Sequence, residues 1–368
     1  MPDFGHEFPL DQRVSESPLV SVLISNYNYE HFLEEAVDSA LKQTYSKLEV
    51  VVVDDGSTDG SQELVESYGD RVIPLLKENG GQASACNAGF RASKGEIVIF
   101  LDADDVLLPD TVSRVVAAFQ SRPGVAKVQY RHQLIDASGK FLGDLQPRAA
   151  FAMQSGDVRP LLMEFDRYVW PSTSGNAFAA AVLDRIMPIP EVLYRVMADI
   201  HLCTLSAVFG EVISLEEPGS LYRVHGANNW FDQQTSSVNL DLLRKILLAM
   251  DDNYMRRKYL FSTLYSVDTR SIGTRDIFVV IYKMISMKLD PENHPFKESP
   301  WRLFIRGCDL FVTHPDPTIP RSTSLVRVLW LAAMLLAPRP FAYSLVKALQ
   351  LEKRGWLHDK LATLLKRA

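Results

Sequence analysis

The sequence predicts an α/β protein, with a mostly parallel, doubly wound sheet over about the first 230 residues and a helical region after it. Three observations carry this expectation. Short β-rich runs alternate with runs of helical period. Several β-rich runs are almost continuously apolar, as in strands covered on both faces. Beyond about Ser236 strand signals nearly vanish.

Val20–Ser25 (VSVLIS) reads as the first strand, and Phe32, Leu33, Ala36, Val37, Ala40 and Leu41 then form one helical stripe. Val50–Val53 is a second strand and Val72–Leu76 a third. A helix over Ser84–Ala92 precedes the strand Ile97–Leu101. Pro109, suited to a first helical turn, opens a helix to about Ser121. The rhythm loosens after a strand at Val125–Tyr130, with a turn at Asp136–Lys140. SGNAF at 174–178, a helix from about Glu191 to Phe209, a strand at Val212–Leu215 and LYRVHG at 221–226 follow. Helices are then expected over LDLLRKILLAM, RDIFVVIYKMISM and WRLFIRGCDLF, split by Pro-containing connections near 291–300 and 315–320.

Composition narrows the class. In 368 residues, 47% hydrophobic and 23% charged is the balance of a globular protein. A net charge of −6 argues against a nucleic-acid partner. Cys86, Cys203 and Cys308 lie far apart and form no CxxC pair, which fits a reducing cytoplasm. The first eighteen residues hold four acidic side chains and no apolar run, so no secretory signal is expected. The most apolar stretch, Val328–Ala337, is ten residues long, whereas a membrane-spanning helix needs roughly 20. Residues 321–368 carry nine Lys/Arg against two Asp/Glu, an excess of +7 that leaves −13 on the rest. Such a tail, with Leu325, Val328, Leu329, Leu331, Leu335 and Leu336 as apolar companions, fits peripheral contact with an anionic membrane or a solvated basic helix.

Ligands of open α/β sheets collect beyond the carboxyl ends of the strands. Three expected strands end in polar groups: Ser25-Asn26-Tyr27-Asn28, Asp54-Asp55-Gly56-Ser57 and Asp102-Ala103-Asp104-Asp105. Alone, DDGSTDGS reads equally as a capped loop, with Ser57 or Thr58 capping the next helix. Carboxylates converging on one edge repel one another unless a cation neutralises them. Hard oxygen ligands favour Mg²⁺ or Mn²⁺, and an ion held by few carboxylates completes its shell with water and phosphate oxygens. A diphosphate-bearing ligand is therefore expected. GxGxxG and GxxxxGK[ST] are both absent. Asn79-Gly80-Gly81 before a helix start is a turn able to bind an anion.

VSVLISNYNYEHFLEEAVDSALKQTYSKLEVVVVDDGSTDGS, ENGGQASACNAGF and GEIVIFLDADDVLLPD, in this order, resemble the family 2 glycosyltransferases of the GT-A fold, from about Leu19 to Asn229. The resemblance implies a doubly wound mixed sheet and transfer from a nucleotide diphosphate sugar with inversion, usually with Mn²⁺ or Mg²⁺. It implies an N-terminal extension (1–17), a catalytic domain (18–235) and a helical C-terminal region (236–368). Ser25 and Tyr27 would adjoin the nucleotide, Tyr27 against the base, and Asp55 or Asp54 would accept from the base's ring N–H. Asp102, Asp104 and Asp105 match the DxD region, which contacts ribose and metal. Asp104 and Asp105 are favoured as closest to them. Asp199 would be the general base. Ser174, Gly175, Asn176, Arg223 and His225 would lie on the diphosphate or acceptor side. Two departures stand out: position 86, often basic in such proteins, is Cys86, and the usual acid before the base is Ala198.

These roles suit the chemistry. The departing diphosphate gathers charge that a metal and donors such as Arg223 or His225 stabilise, and the attacking hydroxyl needs one base. Trp170 and Trp230 are candidate sugar platforms or core residues, and His201 is expected to face away from the chemistry. The implied partners are a nucleotide-sugar donor, with uridine preferred, and a glycan or lipid-linked acceptor in cell-surface polysaccharide assembly. Two rival readings remain: a haloacid-dehalogenase-like phosphatase with Asp102 as nucleophile, and a nucleotide-binding scaffold without turnover.

Overall fold

The computed structural model describes residues 13–225, 239–313 and 324–353. Trp230 and the tail beyond Lys353 lie outside the described residues, as does the N-terminal extension before Arg13. Strands β1 (Val20–Asn26), β2 (Leu48–Asp54), β3 (Ile73–Leu76) and β4 (Ile97–Asp102) form the parallel half of a sheet ordered β3-β2-β1-β4. Helices α1 (Glu30–Leu41), α2 (Ser61–Ser67) and α3 (Gln82–Ala92) are the crossovers. The apolar runs are explained by cover on both faces. Val20, Val22 and Ile24 join Leu33, Ala36, Val37 and Ala40 of α1 in one core cluster. On the opposite face Leu23 and Val53 meet α3 at Gly89, where a β-carbon would fall 3.2 Å from Val53. Each such buried aliphatic side chain contributes about 1.5–3 kcal/mol.

After β5 (Val106–Leu107) and α4 (Thr111–Gln120) the sheet becomes mixed. It continues through β6 (Val125–Asp136), β7 (Phe141–Gln146), β8 (Asn176–Ala179) and β9 (Glu211–Val224), in the order β4-β8-β6-β9-β5 with β7 on β6. The expected turn at Asp136–Lys140 joins β6 to β7, with Asp136 N–H donating to the Lys140 carbonyl. The short helices α5 (Arg159–Glu164) and α6 (Ala180–Ile186) precede α7 (Ala198–Ser206).

Some boundaries differ from expectation. The helix expected from Glu191 begins only at Ala198: Pro190 starts a turn that accepts from Leu193 and Tyr194 N–H, and Met197 sits in the left-handed region at φ 68°. The helix expected from Pro109 starts at Thr111, and the Pro109 carbonyl accepts from Thr44 N–H. Val212–Leu215 and LYRV form one strand, β9, pairing parallel with β6.

Four further helices are α8 (Leu240–Tyr265), α9 (Ile277–Leu289), α10 (Pro300–Val312) and α11 (Ser324–Leu336), and α12 (Arg339–Lys353) ends the described chain. The chain divides into two compact units. One comprises Met1–Phe231 with Asp252–Thr274, the other Asp232–Asp251 with residues from Arg275 on. Within the first, Arg257 of α8 forms a fully buried ion pair with Asp166 at 3.1 Å, and Asp166 also accepts from Gly273 N–H at 2.8 Å. The second has its own core, including Val280, Met284, Leu303, Leu310, Leu331 and Met334. Leu331, expected on a free apolar face, is in this core, while Leu329 and Leu336 are exposed. Among the described residues no helix is long and apolar enough to cross a membrane.

Candidate active site

Parallel pairing puts the three polar strand ends side by side, with Asn26 opposite Asp54 and Ser25 opposite Asp102. The two acidic loops serve different ends. Asp54 is fully buried and accepts from Asn26 Nδ2 (2.8 Å), Ser57 N–H (2.9 Å) and Gln62 Nε2 (3.2 Å), which closes its own loop. The Ser57 hydroxyl accepts from Asn26 and from Asn28 N–H, so it ties two loops together instead of capping α2. Asp55 accepts from Lys77 Nζ at 2.6 Å, Gly80 N–H at 3.0 Å and Gly81 N–H at 2.6 Å. The anion seated on the Gly80-Gly81 turn is thus the protein's own carboxylate. Gly81 has φ 86°, which a side chain rarely adopts, and a β-carbon there would also meet Arg195. Beside this loop lies an open depression of about 520 Å³, lined by Gly56, Ser57, Gln62, Leu76, Lys77 and their neighbours. Tyr27, just past β1, is 46% exposed.

Beyond β4 the acids are only partly balanced. Burial, followed by repulsion from Asp104 and Asp199, pushes the Asp102 carboxyl up to about 7. Asp105 Oδ1 accepts from Arg223 N–H at 3.1 Å, whereas its buried Oδ2 has no hydrogen-bond partner among the described residues. Burial, then Asp104 and Asp102, drive this carboxyl well above the usual range. Asp104 Oδ2 lies 3.0 Å from His225 Nε2. The ring of His225 packs against Phe32 and Tyr29 at 4.9 and 5.5 Å. The phenols of Tyr29 and Tyr222 are pushed up by burial and by the same three aspartates, so both border the cluster.

Arg223 is held by the protein's own groups. Its Nε donates to the Asp104 carbonyl at 3.0 Å, its Nη2 pairs with Glu35 of α1, and its guanidinium stacks on Phe32 at 4.9 Å. It is 2% exposed and anchors the acidic loop from behind. Ser174 accepts from Asp102 N–H at 3.0 Å. Gly175 has no room for a side chain, since a β-carbon would fall 2.6 Å from Pro171. Asn176 is fully buried and donates to the Ser172 carbonyl at 2.7 Å. Gly175 and Asn176 therefore shape the turn that holds Ser174.

Asp199 lies in the first turn of α7. Burial raises its carboxyl, and the Ile200 amide, the Lys127 ammonium and the Trp170 indole oppose that rise. Lys127 on β6 is itself fully buried, donating to Gln129 Oε1 (2.9 Å) and Tyr168 OH (3.0 Å). The Cys86 thiol is pushed up by burial and by Asp102, Asp199 and Asp55. His201 bonds the Ile186 carbonyl at 2.8 Å, away from this chemistry.

The structure thus places Asp104 beside His225 in the loop that follows Asp102, and Gln82 links Asp102 to the Ala198 amide next to Asp199. Sequence reasoning missed Glu35, Tyr29, Gln82 and Lys127. The only cue was for Gln82, which follows the glycine pair at a helix start. The donor set suits a hard divalent ion: an orphaned buried carboxylate oxygen beside an aspartate–histidine pair. Among the described residues no three His, Cys, Asp or Glu side chains converge on one point. An ion here would therefore take few protein ligands, leaving positions for phosphate oxygens.

This architecture is that of the GT-A transferases. Residues 21–160 match the model of "Glycosyl transferase family 2". The chain is 35% identical over 241 residues to an uncharacterised glycosyltransferase of Nostoc sp., covering 64% of this chain and 74% of that one. It is 37% identical over 149 residues to an uncharacterised glycosyltransferase of Rickettsia prowazekii, covering 40% of this chain and 47% of that one. Among solved structures, residues 1–349 of Staphylococcus aureus TarS in complex with UDP-GlcNAc align with a TM-score of 0.53 at 16% identity, over 90% of this chain and 92% of that one. The chain belongs to the family 2 glycosyltransferases. A dehalogenase-like phosphatase is thereby set aside.

Proposed function

We propose that the protein transfers a sugar from a nucleotide diphosphate sugar, with UDP as the nucleotide, to a hydroxyl of a glycan or lipid-linked acceptor, with inversion at the anomeric carbon. One observation carries this reading: the Gln82 side chain bonds both Asp102 at 3.4 Å and the amide of Ala198, next to Asp199, at 3.1 Å, so the DxD loop and the base-bearing turn are neighbours. Tyr27 lies against the base of the nucleotide, beside the loop that Asp54 and Asp55 brace. Asp102, Asp104 and Asp105 face the ribose and the metal, with Asp104 and Asp105 closest. Asp104 and His225, next to the free Asp105 oxygen, hold Mn²⁺ or Mg²⁺. That ion, when bound, neutralises charge on the diphosphate.

The acceptor hydroxyl attacks the anomeric carbon as the bond to the diphosphate oxygen breaks on the opposite face. Asp199 Oδ takes the hydroxyl proton, and burial makes it a better base than a solvated carboxylate. No second carboxyl is needed as an acid, because the diphosphate leaves readily. Asp199→Asn is expected to lower transfer by roughly 10²–10⁴-fold with UDP affinity retained. A scaffold without turnover predicts no sugar transfer by the wild type across a donor panel scored with and without Mn²⁺, and that result would overturn the proposal.

The UDP-GlcNAc complex of TarS supports a UDP-sugar donor. Work on cell-surface polysaccharide at the inner face of the plasma membrane is supported by the +7 charge of residues 321–368. Deleting that segment would remove Leu331 and Met334 from a core. A better test is Lys360→Gln/Lys366→Gln/Arg367→Gln in sedimentation with phosphatidylserine vesicles. Binding by the wild type and its loss in the variant are expected.

A further inference from the structure

The start of α3 joins the two sides of this pocket. Gly80 and Gly81 hold Asp55. Immediately after them, Gln82 N–H donates to the Arg195 carbonyl at 2.9 Å and Ala83 N–H to that of Tyr194 at 3.3 Å. The Gln82 side chain then reaches in two directions. Its Nε2 donates to Asp102 Oδ1 at 3.4 Å and to Thr173 Oγ1 at 3.1 Å. Its Oε1 accepts from Ala198 N–H, the first residue of α7, at 3.1 Å.

The first amides of a helix have no partner within it and are ordinarily satisfied by a Ser, Thr, Asp or Asn at the cap position. The cap residue of α7 is Met197, which has no acceptor in its side chain beyond a weak thioether, and α7 has no side-chain cap bond of its own. Gln82 supplies the missing acceptor from another helix. The residue it caps is the neighbour of Asp199, and the amide that caps it also holds Asp102.

We propose that Gln82 is a positioning residue for transfer: it caps α7 from outside and so fixes the base-bearing turn relative to Asp102. The inference rests on the reading of Asp199 as the base. It predicts that Gln82→Leu loosens the turn while leaving the nucleotide's own contacts in place.

The test compares Gln82→Leu, Gln82→Asn and Asp199→Asn in the full chain, with Mn²⁺ and the donor found active for the wild type. Thermal unfolding checks folding. Should the leucine variant fail to fold, the asparagine variant, one methylene too short to span both sides, carries the test. A fall in kcat of roughly 10²-fold is expected, with UDP affinity by calorimetry within about threefold. The acid limb of the kcat profile is expected to move to higher pH, because Asp199 loses amides that hold its carboxyl down. An unchanged kcat in a folded Gln82 variant, with Asp199→Asn inactive, overturns the inference and leaves the base assignment standing. Equal losses of kcat and UDP affinity with an unmoved acid limb make Gln82 a donor-binding residue and also overturn it. Wild-type transfer by Asp199→Asn removes the base assignment, and the inference falls with it.

Discussion

The backbone N–H of Arg223 donates to Asp105 Oδ1 at 3.1 Å, while the far end of the same side chain pairs with Glu35 on α1. One arginine near the end of β9 thus fastens the acidic loop to the opposite helix and uses its charge doing so. Arg223→Met keeps some of the packing on Phe32 but loses the hydrogen bond to the Asp104 carbonyl. Because Glu35 is half exposed, its loss as a partner adds little. The expected cost is about 2–3 kcal/mol in urea unfolding, with weaker donor binding as the acidic loop relaxes. Unchanged stability would show that the latch is dispensable.

Asp102 makes stability depend on pH in an unusual direction. Burial and the neighbouring acids push its carboxyl up to about 7 in the folded state, from an ordinary 3.8. The folded protein therefore binds the proton more tightly than the unfolded chain does. This contribution is complete below about pH 3.8 and is lost as pH rises to about 7, at a slope of at most about 1.4 kcal/mol per unit. Asp102→Asn should flatten the unfolding free energy between pH 5 and 7.5 by one proton's worth. In the wild type, stabilisation by Mn²⁺ should grow over the same range, as ion and proton compete for the cluster.

Lys127 is fully buried, and its ammonium holds down the carboxyl of Asp199, the proposed base. Lys127→Met removes that charge, so Asp199 should rise further and the acid limb of kcat should move to higher pH. UDP affinity should stay constant. An acid limb that stays in place would mean that the two groups do not communicate.

Arg257 and Asp166 form the buried pair that holds residues 252–274 to the body of their unit. Arg257→Ala leaves the buried Asp166 carboxylate without its ionic partner, and a loss of about 3–5 kcal/mol is expected. Replacing both partners, as Arg257→Met/Asp166→Asn, should recover part of it. A single variant that costs less than the double one would contradict this account.

The parallel half of the sheet was legible because burial on both faces leaves β1, β2 and β4 nearly free of polar residues. The other half was legible only in part: Val125–Tyr130 and Val212–Leu215 were expected as strands, but not the full length of β6 and β9. Strand β6 carries Lys127, Gln129, Arg131 and His132, all buried, and their partners Tyr168, Ser214, Glu216 and Ser172 lie far along the chain. A polar run reads as surface unless those partners are known. The site divides in the same way. Asp102, Asp104 and Asp105 stand out at a strand end, whereas Asp199 is singled out only by the resemblance. Glu35 was not legible, since it meets Arg223 across 188 positions. Gln82 likewise acts on Ala198 across 116 positions.

The docking of segment 189–198 on α3 has a practical corollary for protein engineering. Asn87 exchanges two hydrogen bonds with the Ile189 backbone, at 2.9 and 2.8 Å, and Gln82 and Ala83 grip Arg195 and Tyr194 further along. Chimaeras assembled from relatives to alter sugar preference would break these matched pairs at any crossover between the two stretches. Residues 82–87 and 189–198 form a single cassette, to be exchanged together or left alone.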